Sequence, residues 1–160
     1  MNKIFKLALL FLFALIVTAC KKDIVRNEDG SLTVETKISQ QELQEVITSS
    51  IANPLVKNLT VSLQSGYVLV SGERQRLNDS SKTDSLTFRL DLSVNNGQLA
   101  VAITNAQVDG VPIEQNRVDN WNQTIANRLS NFGKRSEKAT LQAISVTTES
   151  VTMSWKVAKQ

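Results

Sequence analysis

Apolar residues recur along this chain at two spacings: every third or fourth position in two segments, and every second position through most of the rest. Ser39 opens the first helical segment, with Leu43, Val46, Ile47 and Ile51 on one stripe. Ser39 and Glu42 have the spacing of a capping box, in which each side chain satisfies the other's unpaired N–H, and Pro54 stops the helix. Ahead of it, Ser31 to Lys37 reads as a short strand around Leu32 and Val34. After Pro54 the period becomes two. Leu59, Val61 and Leu63 alternate with polar residues, and Ser65–Gly66 turns the chain into Tyr67–Val70, apolar on both faces as a central strand would be. Gly72 marks a bulge or a close approach, and Leu77 to Thr83 is a polar loop.

The cleanest alternation follows. Leu86, Phe88, Leu90, Leu92 and Val94 point one way while Thr87, Arg89, Asp91 and Ser93 point the other, so one face is buried and one wet. Asn96–Gly97 is a hairpin turn into Leu99, Val101 and Ile103, and Asp109–Gly110 is a second turn. Glu114 to Phe132 reads as the second helix, with Val118, Trp121, Ile125, Leu129 and Phe132 on its stripe and Gly133 as its cap. Leu141–Val146 and Val151–Val157 make a closing hairpin. The order is β-α-β-β-β-β-α-β-β, an α+β domain with a mainly antiparallel sheet and both helices on its apolar face.

The first twenty residues are different. Lys3 and Lys6 precede an apolar run from Leu7 to Val17, too short to span a bilayer and of the length of a secretion signal. It ends Val17-Thr18-Ala19-Cys20, which resembles the bacterial lipobox. That resemblance implies diacylglyceryl transfer to Cys20, cleavage before it and acylation of the new amino terminus. Two or three acyl chains make a stable membrane anchor where one does not. An ordinary signal-peptidase cut at the same place would leave Cys20 as a lone thiol. Lys21 at the following position, in place of Asp, looks like that of an outer-membrane-permitted lipoprotein if the cell is Gram-negative. The chain thus divides into a signal peptide (1–19), the lipidated Cys20 with a polar tether (20–30), and one α+β domain (31–160).

Charge and composition then narrow the chemistry. The 18 Lys and Arg against 15 Asp and Glu give a formal +3, which falls to about +1 once Lys3 and Lys6 leave with the leader, so a basic nucleic-acid binder is not expected. The sequence has no His and one Cys. That removes imidazole acid–base work, the Ser-His and Cys-His pairs, most zinc sites and any internal disulfide. Candidates that remain are weak: a Ser154/Lys156 pair on one strand face, a loop from Asp79 to Asp84 without EF-hand spacing, and Glu114 and Asp119 at a helix start where carboxylates suit the dipole. No enzyme, metal or cofactor is expected.

A further resemblance rests on particular stretches. ISQQELQEVITSSI, then VSLQSGYVLVSGE with Leu63, Gly66, Val68, Val70 and Gly72, then a strand pair around NGQL and DGVPI leading into the long helix, is similar to small bacterial envelope families of the tubular lipid-binding (BPI-like) type. Among these are the YceB-like lipoproteins and the family of the mycobacterial lipomannan-elongation factor. The resemblance implies a strongly curved sheet wrapped around the long helix with a lipid held between them. On that reading the groove is lined by Trp121, Ile125 and Leu129 from the helix, and by Phe88, Leu90, Met153 and Trp155 from strands. The same stripes also suit a closed core. The chain would then be a tethered structural or interaction module contacting another envelope protein or the wall.

Overall fold

The computed structural model describes residues 23–134 and 137–158; the leader and Cys20 lie outside them. The elements are β1 (Ile24–Arg26), β2 (Leu32–Ser39), α1 (Gln40–Ile51), β3 (Val56–Gln64), β4 (Tyr67–Gln75), β5 (Thr83–Asn95), β6 (Gln98–Val108), β7 (Val111–Pro112), α2 (Gln115–Gly133), β8 (Ala139–Val146) and β9 (Ser150–Val157). The domain is α+β, with two helices and two antiparallel sheets. Where the alternation suggested one sheet, the strands divide into a five-stranded sheet, β3-β4-β5-β6-β7, and a four-stranded sheet, β1-β2-β9-β8.

Two short strands join the expected order. Ile24–Arg26 pairs with Leu32–Val34, so most of the stretch read as tether belongs to the folded domain. Its turn is fastened: Asn27 Nδ2 donates to Ser31 Oγ (2.8 Å), Ser31 N–H donates to Asp29 Oδ1 (2.9 Å), and Lys156 Nζ donates to Asp29 Oδ2 (2.8 Å). A three-residue strand is too short to leave a period in the sequence, and its polar neighbours concealed it. Val111–Pro112 likewise extends the Asp109–Gly110 turn into a small hairpin against Gln107 and Val108.

Local chemistry accounts for the other boundaries. The capping box forms, with Glu42 N–H donating to Ser39 Oγ and Ser39 N–H donating to Glu42 Oε2. α1 closes on Ala52 in the left-handed region, φ 40°, two residues ahead of Pro54. Gly133 turns out to be the last helical residue of α2, and the cap falls on extended Lys134, whose N–H still reaches Ser130 O. At Gly72 the strand faces a bulge: Lys57 pairs with Glu73 and Thr60 with Ser71, so Asn58 and Leu59 together oppose one glycine. A Cβ on Gly72 would lie 3.3 Å from the Leu59 backbone, so a side chain here would crowd the bulge.

α1 and α2 pack against each other, α1 over β3 and α2 over β6. β8 of the second sheet crosses the hairpin tips of the first, bonded through Gly66 N–H to Val146 O (2.9 Å) and Leu141 N–H to Gly97 O (2.8 Å). The core lies between the helices and the inner faces of both sheets.

Candidate functional site: an end cavity beside a closed core

The seven groove candidates are brought together, and all are buried. Leu90, Ile125 and Met153 have no exposed surface; Phe88, Leu129 and Trp155 are nearly so; Trp121 keeps 6%. The Phe88 and Trp121 rings stand 5.9 Å apart, tilted at 34°, an arrangement that aromatic quadrupoles favour. These side chains pack into one core.

The core is closed at the sides by helix amides. On the β3 edge, Val61 and Leu63 N–H donate to the Gln44 and Gln40 side-chain oxygens (3.4 and 3.5 Å). On the β6 edge, Ile103 N–H donates to Asn122 Oδ1 (2.8 Å). Each helix therefore holds one edge of the five-stranded sheet, satisfying backbone groups that would otherwise be left unpaired at a part-buried position.

Hollows occur at both ends; one of about 530 Å³, at the β5–β6 tip, is lined in part by Leu99, Ala139 and Trp155. A cavity of about 470 Å³ lies between the first turns of α2 and the ends of β4, β5 and β6 farthest from the second sheet. Its apolar wall is Val56, Leu86, Val108, Val111, Ile113 and Trp121; Arg74, Asp84, Asp109, Glu114 and Arg117 bring charge. Trp121 is the one groove candidate that reaches this cavity. The charges come from β4, β5, the β6–β7 turn and the start of α2, and no motif announced them. Arg76 bridges Asp84 and Asp109, and the paired Asp84 carboxylate holds its guanidinium above the ordinary arginine value. The Ser85 N–H, at 2.6 Å, is the main influence holding the Asp109 carboxyl below the ordinary aspartate value. Arg74 is different: its Nε is buried and has no hydrogen-bond partner among the described residues.

The weaker candidates have other duties. The Lys156 ammonium is tied to Asp29. Asp79 accepts from Ser81 N–H and Oγ and pairs with Lys82. Asp119 accepts from Gln115, and Glu114 makes no side-chain cap. Among the described residues no cluster of His, Cys, Asp and Glu could hold a metal ion, and no helix is long and apolar enough to cross a membrane. Comparison with protein families, curated proteins and solved structures gives no match.

Proposed function

We propose that this chain is a non-enzymatic lipoprotein of the bacterial cell envelope, anchored through an acylated Cys20, whose domain takes one apolar or amphiphilic ligand at the end cavity. The observation that carries the reading is the cavity itself. Its volume falls in the range of small-molecule sites, and it pairs an apolar wall with a few convergent polar groups. Such a lining suits a molecule with a short hydrocarbon part against Trp121 and Val108 and a polar head near Arg74 and Arg117. Engagement of both sheet edges by helix side chains supports the half-tube of the tubular lipid-binding families. The lack of His and the Lys156–Asp29 pair support a role without catalysis.

The second reading, a tethered structural or interaction module, is favoured by the burial of all seven groove candidates. Native mass spectrometry separates the two. Residues 23–160, incubated with mixed phospholipids and fatty acids, are expected to hold one molecule per chain. Binding should change Trp121 emission in a Trp155→Phe background and disappear with Ile113→Arg. A bare chain under all these conditions would leave the module, and a partner protein would be sought.

A further inference from the structure

We infer that the outer edge of the four-stranded sheet rests on the bilayer that holds the anchor, with Ile24, Val25 and Leu32 as the contact. The inference depends on the acylation of Cys20 proposed above. β1 is the free edge strand of its sheet; on it Ile24 is 62% and Val25 57% exposed, and Leu32 at the start of the neighbouring β2 is 38% exposed. A free backbone edge bearing exposed apolar residues invites unwanted pairing unless something covers it. Chain length says what does. Ile24 is four residues past Cys20, and four residues reach at most about 14 Å, so β1 cannot stand far from the lipid surface.

Nor can it swing away freely. Asp23 O accepts Glu35 N–H (3.1 Å), and the turn behind β1 is clamped by Asn27, Ser31 and the Lys156–Asp29 pair. The neighbouring charges are of both signs, with Asp23 and Glu28 beside Arg26, so the contact is apolar in character. Ile24 and Leu32 lie on one face of the edge and Val25 on the other, which fits an edge pressed side-on into the interfacial region. The cavity then faces away from the anchoring membrane, because it opens at the ends of β4–β6 opposite the tips that touch β8.

The test uses the full lipidated chain in vesicles of phosphatidylethanolamine and phosphatidylglycerol. A bimane probe is attached at Val25→Cys or, at the far end, Leu77→Cys; Leu77 is 81% exposed in the β4–β5 loop. Emission from position 25 is expected to fall about twofold when brominated phospholipid is included, as for a side chain lying in the interface, while position 77 stays unchanged. Intact mass is read first. A Cys20 without lipid overturns the anchor and this contact with it. A lipidated Cys20 with no quenching at position 25 overturns the contact and leaves the anchor standing. A response at position 25 that follows protein density instead of bromine assigns the edge to a second copy of the chain, and also overturns the contact.

Discussion

Asn122 and Ile103 are joined by a 2.8 Å hydrogen bond in which a helix side chain stands where the carbonyl of another strand would be. Removing the acceptor strands the N–H. Asn122→Ala is expected to cost about 1–2 kcal/mol in denaturant unfolding. Gln123→Ala, on the exposed side of the same helix, should leave stability nearly unchanged. Equal losses would mean that the amide is not what closes this edge.

Leu90 and Ile125 are fully buried, and their substitution probes how closed the core is. Ile125→Ala is expected to lose about 2–5 kcal/mol, the usual range for emptying a packed aliphatic site. Leu90→Asp combined with Ile125→Asp should not fold, because two carboxylates would be buried without partners. A double variant that keeps the native circular dichroism spectrum would point to a solvent-accessible groove along α2.

Two glycines separate backbone strain from crowding. Gly97 and Gly110 both sit at positive φ, 73° and 78°. A Cβ at Gly97 would lie 3.3 Å from Thr140 Cβ, whereas nothing lies within 4 Å at Gly110. Alanine at either position carries the left-handed penalty of about 1–2 kcal/mol. Gly97→Ala should cost more, since it also pushes the β5–β6 tip off β8. Matching unfolding midpoints for the two variants would remove the contact from the account.

Acid should loosen the β1 turn before the core. Lys156, then the Ser31 hydroxyl and N–H, hold the Asp29 carboxyl well below the ordinary aspartate value of 3.8. A depressed carboxylate stabilises above its unfolded value and loses that contribution as pH falls through its folded one. Amide protection, relative to the intrinsic exchange rate at each pH, should therefore be high at Ser31 and Glu35 at neutral pH and fall well below pH 3.8, ahead of protection at Val70 or Leu90. Simultaneous loss of protection at all four would tie β1 to the core.

Much of the fold was legible because period and punctuation are local. The Ser39/Glu42 box, the Gly72 bulge and the Asn96–Gly97 turn each follow from a few adjacent residues. Alternation says which face of a strand is buried but not which neighbour it takes, so the division into two sheets was not visible. It also overstated burial in β4. Leu69 is 43% exposed, and Tyr67 lies beneath the Arg89 guanidinium, 4.2 Å from the ring centre, on the wet face. Arg89 is itself held there by Asp91, with Nη2 2.6 Å from Oδ1. A buried stripe looks the same whether it meets protein or ligand, which left the seven groove candidates open. The end cavity was beyond reach for another reason. Arg74 and Asp84 face each other across the β4–β5 hairpin, and topology brings Asp109 and Arg117 to the same cavity.

The β1–β2 hairpin also has a mechanical meaning. Tension between an anchored Cys20 and a restrained domain would act on the open end of that hairpin, at the Ile24–Val34 pair. It would separate the three pairs one after another instead of shearing them together. β2 would stay in place, held over its whole length by β9 from Leu32–Val157 to Ser39–Ser150. Paying out residues 24–31 would lengthen the leash by about 27 Å, leaving every buried apolar side chain where it was. The strand that seats the domain would thus serve under load as its slack.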